Sequence, residues 1–187
     1  MCVVFANEYP QNTASYAPET TASYLAYSKD KALTTKLKIR PAEERDIPSI
    51  ASIAGTTDLF PPEMLADMIA PFLCRTAQDI WFVGVMDDDI ITFGFCEPER
   101  MTEGTWNLLA IGVLPPHQGS GHGGLMMSWL EHELAQADQR ILLVETMGTP
   151  EFELTRTFYR RNGYTEEARI REFYEAGADK VVFWKHL

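Results

Sequence analysis

Residues 106–113 read Trp-Asn-Leu-Leu-Ala-Ile-Gly-Val, an almost wholly apolar run that Pro115 and Pro116 bring to a halt. A run with so little polar alternation suits a central strand covered on both faces. It leads into Gln118-Gly119-Ser120-Gly121-His122-Gly123-Gly124. After that, Met126, Trp129, Leu130 and Leu134 share one face of a helix expected over about residues 123–137. A buried strand, a glycine turn and an amphipathic helix in that order demand a sheet with helical layers against it.

The flanking sequence extends the pattern in both directions. Leu37-Lys38-Ile39-Arg40 alternates like a strand. Asp46 is a suitable N-cap, Pro48 fits a first helical turn, and Ile47, Ile50 and Ile53 follow at helical spacing. Pro61 and Pro62 break the chain before a second helix that carries Met64, Met68 and Ile69. Residues 80–86 and 90–95 read as a hairpin closed by Asp87-Asp88-Asp89. Past the glycine turn, residues 141–145 form another buried strand, and residues 151–162 a short helix. Gly163 stands where a left-handed C-terminal cap is needed, with Tyr164 folding back on the helix end. Two last strands surround Gly177. The order β-α-α-β-β-β-α-β-α-β-β predicts an α+β (α/β) domain. Its central sheet is mixed and mostly antiparallel, with helices on both faces.

Residues 1–36 differ in character: they are rich in Ser, Thr, Ala and Tyr, and Thr13-Ala14-Ser15-Tyr16 returns as Thr21-Ala22-Ser23-Tyr24. Two copies make no solenoid. The expectation is a flexible or loosely docked extension before a domain spanning residues 37–187.

The formal net charge of −11 repels phosphate backbones and anionic lipid, which argues against nucleic acid and membrane surfaces as partners. Cys2, Cys74 and Cys96 are odd in number and widely spaced, so neither a disulfide framework nor a metal knuckle is expected. His117, His122, His132 and His186 form no ligand set, and no metal is predicted. No apolar run reaches the ~20 residues that span a bilayer. The first residues lack the basic and apolar regions of a signal peptide, so the expected location is the cytoplasm.

The glycine turn admits two readings. Gly119-x-Gly121-x-x-Gly124 matches a dinucleotide fingerprint, and Glu145 lies about twenty residues on, where a ribose-binding acid belongs. However, Leu114-Pro115-Pro116-His117-Gln118 separates the strand from the first glycine, several strands come before it, and too few residues follow to complete a doubly wound sheet. The second reading is Gln118-x-x-Gly121-x-Gly123, which resembles motif A of the GNAT superfamily of N-acetyltransferases. There, successive backbone N–H groups at a helix start cradle the pyrophosphate of coenzyme A.

The surrounding sequence resembles the same superfamily. Ile39-Arg40-Pro41-Ala42 with Asp46-Ile47 is similar to its first strand and helix. Residues 106–113 with Pro116 resemble the strand before motif A, and Phe158-Tyr159-Arg160-Arg161-Asn162-Gly163-Tyr164 resembles its Tyr-x-x-x-Gly-Phe segment. The likeness covers about residues 37–187. One departure is Phe152, which stands where many members place an Asn that contacts the pantetheine arm. The final strand pair, with Arg169-Ile170-Arg171-Glu172-Phe173-Tyr174, looks like that of a bacterial subgroup.

The resemblance implies acetyl-CoA as cosubstrate and a primary amine as acceptor, joined by direct attack in a ternary complex. It implies that Gln118, Gly119, Ser120, Gly121, His122, Gly123 and Gly124 hold the pyrophosphate, with Gln118 donating its side-chain amide. The main chain of Ile111, Gly112 and Val113 would pair with the pantetheine arm, and Gly112 inside an apolar strand marks either a bulge or close approach, or simple packing. Tyr159 is the implied general acid, or else a packed core aromatic. The base is open between Glu145, which follows an apolar strand, Glu97, and a chain of bound water, and either acid is also readable as a solvated or paired strand-end acid. Glu97, Glu172 and Tyr174, with Asp179 nearby, are expected to flank a cationic acceptor. Trp129, Met126 and Met127 read as core. A homodimer is compatible with all of this. Two other functions compete: an NAD-binding oxidoreductase using the fingerprint, and a non-catalytic acyl-CoA-binding module.

Overall fold

The computed structural model describes residues 36–187. The expected N-terminal extension, apart from Lys36, lies outside the described residues. The elements follow the predicted order: β1 (Lys38–Pro41), α1 (Ile47–Thr56), α2 (Leu65–Leu73), β2 (Ile80–Met86), β3 (Asp89–Pro98), β4 (Thr105–Val113), α3 (His122–Gln136), β5 (Ile141–Met147), α4 (Glu153–Arg161), β6 (Thr165–Glu175) and β7 (Ala178–His186). Short 3-10 turns introduce α1, α2 and α4 and follow β4.

The strands form one seven-stranded sheet in the order β1-β2-β3-β4-β5-β7-β6. The pair β4–β5 is parallel and the others are antiparallel. This is the mixed, mostly antiparallel sheet expected from the hairpin-rich first half, and not the doubly wound parallel sheet of a dinucleotide-binding domain. Among the described residues, no helix is long and apolar enough to cross a membrane.

Two hydrophobic clusters sandwich the sheet. On one face α1 and α2 set Ile50, Ile53, Leu65 and Ile69 against Trp81, Val83, Phe93 and Phe95. On the other, α3 and α4 set Met126, Met127, Leu130, Leu134 and Tyr159 against Phe82, Leu108, Ile111, Val144 and Phe183. The four buried α3 side chains, each worth about 1.5–3 kcal/mol, fasten this helix firmly. Close packing refines its seat. A Cβ at Gly94 would come within 2.2 Å of the Phe82 ring. That ring in turn stacks on Trp129 with centroids 5.1 Å apart. Met126 reaches Gly84, where a Cβ would meet its sulfur at 3.2 Å. The start of α3, and the glycine turn before it, are thereby fixed to the sheet.

β4 is irregular at Leu109. Phe95 pairs with Ala110 and Cys96 with Leu108, which leaves Leu109 as an extra residue. The packing shows the same step. Trp106 and Leu108 face α3 and α4, Leu109 and Ala110 both face α1 and α2, and Ile111 returns to the first side. The bulge therefore lies at Leu109, three residues before the Gly112 that the sequence pointed to. At Gly112 the absent side chain serves packing, since a Cβ would lie 2.9 Å from Leu59 Cδ1 and 3.0 Å from Ile53 Cγ2.

Asp46 occupies the N-cap position of α1, but its carboxylate does not bond to the α1 amides. It takes Arg40 in a two-pronged pair, at 2.5 and 2.9 Å, and accepts the Glu43 N–H at 2.8 Å. The charged two-pronged partner and the Glu43 amide together take up the carboxylate. The other end of the α3/α4 layer obeys its capping rule. Gly163 has φ +83°. Tyr164 N–H donates to the Tyr159 carbonyl at 3.1 Å and Gly163 N–H to that of Arg160 at 3.1 Å. This is a Schellman closure.

Candidate active site

The parallel register joins residues 105–108 of β4 to residues 141–144 of β5 and goes no further. Beyond it β4 stays with β3 up to Val113, and β5 stays with β7, with Glu145 opposite Val182 and Met147 opposite Lys180. The two strands fork. A bulge bends its strand and increases local twist, and Leu109 sits where the fork opens. Residues 109–113 and 145–147 thus present backbone edges that no neighbouring strand takes up across the gap.

The glycine turn stands at the open end of this fork, where β4 runs out. Gly119 and Gly121 hold φ of +73° and +85°. A Cβ on either would meet nothing within 4 Å, so backbone conformation and not crowding requires glycine there. Gly121 caps α3. The Leu125 N–H donates to its carbonyl at 3.1 Å. The amides of His122, Gly123 and Gly124 therefore have no carbonyl within the helix, and they carry the positive end of a 15-residue helix dipole. Open space beside two glycines, with amides directed outward from a helix start, fits a diphosphate.

The remaining turn residues are placed as follows. Gln118 donates its side-chain amide to the Val113 carbonyl at 2.9 Å, tying the turn to the end of β4. That bond braces the turn and uses one of the two amide hydrogens, so it is compatible with the phosphate contact that the sequence suggests. The Gly112 carbonyl accepts the Thr92 hydroxyl at 2.6 Å. Ser120 is exposed and Gly123 buried. A Cβ at Gly124 would lie 3.3 Å from Asn162 Oδ1, so α3 and the end of α4 approach closely there. His122 buries Nδ1 with no hydrogen-bond partner, and its ring lies 6.1 Å from that of His117. Burial, and then the neighbouring His117, hold its pKa below the usual imidazole range.

Comparison with known proteins bears on this arrangement. Residues 77–166, which include the fork and the turn, match the family model of the acetyltransferase (GNAT) domain. A GNAT-family protein from Desulfovibrio desulfuricans superposes with a TM-score of 0.74 at 28% identity, covering 81% of this chain and 99% of that one. Over this stretch the chain is similar to the GNAT family of acetyltransferases. Two more distant structures share the fold. One is the ribosomal-protein-S18-alanine N-acetyltransferase of Escherichia coli, with a TM-score of 0.67, 18% identity, and 81% and 94% of the two chains covered. The other is a Salmonella typhimurium protein whose structure holds acetyl-CoA, with a TM-score of 0.66, 16% identity, and 81% and 94% covered. No curated protein matches the sequence significantly.

Within the matched stretch, α4 carries Tyr159 into the core. The residue is fully buried, and its ring lies 5.6 Å from Phe183 and 5.9 Å from Tyr164. Tyr164 donates its hydroxyl to Glu131 Oε1 at 2.8 Å, and burial, reinforced by that carboxylate, pushes its pKa far above the ordinary phenol range.

Glu145 is the first β5 residue past the parallel pairing, and so stands at the fork itself. Its Oε2 lies 2.5 Å from Lys180 Nζ. That ammonium also sits 4.5 Å above the Phe173 ring. Glu97 lies near the far end of β3, opposite Asn107. Burial raises its pKa first, and the charges of Asp79 and Glu99 add to the effect. Glu172 and Tyr174 belong to the β6–β7 hairpin. The Glu172 N–H donates to Asp179 Oδ1 at 3.0 Å, beside an open groove of about 710 Å³ lined by Arg171, Glu172, Gly177 and Asp179. Four strand spacings, roughly 19 Å, separate the strands of Glu97 and Glu172. Glu97 stands beside the paired end of β4 and β5 and Glu172 on the outer strand β6, so the two acids do not converge.

Three features of the site are absent from the sequence reading: the bulge at Leu109, the Lys180 partner of Glu145, and the buried Arg156. Only Arg156 had a local signal, since Glu153 and Arg156 are spaced for a helical ion pair. Among the described residues, no group of three or more His, Cys, Asp or Glu side chains gathers as a metal site would require.

Proposed function

We propose that this protein transfers the acetyl group of acetyl-CoA to a primary amine of a small molecule or peptide, by direct attack in a ternary complex. The observation that carries this reading is the fork between β4 and β5 with a left-handed glycine turn and unpaired helix amides at its mouth. One end suits a diphosphate, and the gap suits an extended arm that pairs with strand edges.

In this reading the amides of the turn, from Gly119 to Gly124, hold the pyrophosphate, with Gln118 bracing them. The main chain of Ile111, Gly112 and Val113 aligns the pantetheine arm, and one N–H polarises the acetyl carbonyl. Glu145 accepts the amine's proton at Oε1, since Oε2 is committed to Lys180. As the new C–N bond forms and the C–S bond breaks, Tyr159 gives its hydroxyl proton to the leaving sulfur. Its position in the core keeps bulk water away from that proton. Glu97, Glu172 and Tyr174 border the acceptor side and favour a cationic amine.

Two measurements test this. Thermal shift with CoA, acetyl-CoA and NAD should show stabilisation by the first two and none by NAD. Thiol release from acetyl-CoA across a panel of amines should then reveal at least one acceptor. Stabilisation by NAD alone would overturn the reading. CoA binding with no turnover across polyamines, amino acids, aminoglycosides and N-terminal peptides would favour a binding module.

A further inference from the structure

Arg156 is 4% exposed, yet it carries a full charge into the layer between α4 and the sheet. Such a charge is costly to bury unless its donors are met. They are met here. Nη1 donates to the carbonyls of Met147 at 2.6 Å and Thr149 at 2.8 Å. Nε and Nη2 donate to Glu153 Oε2 at 3.1 and 2.6 Å.

The identity of the two carbonyls is informative. Met147 ends β5, and Thr149 lies in the turn that follows. This is the stretch of β5 that has parted from β4. From the other side Gly148 N–H donates to the Asp179 carbonyl at 2.8 Å. A Cβ at Gly148 would fall 2.6 Å from Arg169 Nη1 and 3.0 Å from Asp179 Cβ. The end of β5 is therefore gripped between α4 and β7, away from β4. Arg156 also precedes Tyr159 by three residues on the buried face of α4, so the same grip helps to seat Tyr159, whose ring lies 5.6 Å from Phe183.

We propose that Arg156 is a positioning residue that holds the β4–β5 fork open and α4 in register with it, through the carbonyls of Met147 and Thr149. The inference rests on the acetyl-CoA reading above. The guanidinium makes these four bonds from three nitrogens held in one plane, whereas a lysine ammonium has three donors on a single nitrogen and cannot reproduce the set.

The test compares the wild type with Arg156→Met, Arg156→Lys and Arg160→Gln. Arg160 shares the Glu153 partner but is exposed on the same helix. CoA affinity is read by calorimetry, kcat and KM by thiol release with an accepted amine, and fold by Tm. A gap misplaced by an ångström should weaken CoA binding by roughly 10-fold and lower kcat by roughly 100-fold in Arg156→Met. Arg156→Lys should fall between that variant and the wild type, and Arg160→Gln should match the wild type. A folded Arg156→Met protein with wild-type CoA affinity and kcat overturns the proposal. If that variant does not fold, the same outcome in folded Arg156→Lys overturns it. Failure of the wild type to bind CoA instead sinks the acetyl-CoA reading itself.

Discussion

Lys180 brings its ammonium to 2.5 Å from the Glu145 carboxylate, at the point where β5 leaves β4. Both side chains are largely withdrawn from solvent, at 14% and 18% exposure, so the pair is shielded more than a surface ion pair is. An acid held in this way at the fork is either a structural partner or a base with one oxygen in reserve. Substitution separates the two. If Glu145 takes the amine's proton, Glu145→Gln should lower kcat by about 100-fold or more and leave CoA affinity unchanged by calorimetry. Glu97→Gln should change kcat little. The reverse pattern would transfer the role to Glu97, whose raised pKa also suits a base.

Tyr159→Phe removes one hydroxyl from a ring packed against Phe183 and Tyr164. As the proton donor to sulfur, Tyr159 should matter to kcat by about 100-fold and to the KM for acetyl-CoA by much less. An unaltered kcat, with chemistry shown to be rate-limiting by single-turnover kinetics, would leave Tyr159 as a core aromatic alone.

The glycine turn gives a prediction in which stability and binding separate. Gly121 needs φ +85°, which costs a non-glycine residue about 1–2 kcal/mol. An added Cβ there touches no protein atom within 4 Å. Gly121→Ala should thus lower Tm by only a few degrees, since a domain of this size shifts by about 2–4 °C per kcal/mol. The methyl would instead occupy space assigned to the diphosphate, and CoA affinity by calorimetry should fall by 10-fold or more. Equal affinity in the variant would argue that the diphosphate binds elsewhere.

The element order was legible because its signals are local. Prolines at 115 and 116, the apolar run before them and the helical spacing after the turn each act within a few residues. Gly163 reads the same way, because a left-handed cap depends on its neighbours alone. The fork was less legible. Its bulge lies at Leu109, a residue indistinguishable from Leu108 in sequence, because pairing with β3 decides which of the two is extra. Lys180 and Glu145 are 35 residues apart and meet only through the β5–β7 register. Positions set by chain neighbours could be read directly, and those set by strand pairing could not.

Arg40 and Asp46 supply a pH-dependent contribution to stability at the entry to α1. The Asp46 carboxylate is buried, and its hydrogen bonds from Arg40, with further help from the Glu43 amide, hold its pKa below the usual carboxylate range. A carboxyl whose folded pKa is depressed favours the folded state in its ionised form. That contribution is complete above the unfolded aspartate value of about 3.9, and it is lost as pH falls through the lower folded value. Asp46→Asn keeps the shape and removes the charge. Because Arg40 is 29% exposed, the pair should be worth about 1–2 kcal/mol, toward the low end for charged hydrogen bonds. Calorimetry at pH 7 should place the variant's Tm about 2–8 °C below the wild type. At pH values well under 3.9 the two melting curves should draw together. A gap that stays constant from pH 7 down to that range would mean that Asp46 acts through shape and the Glu43 bond, and not through its charge on Arg40.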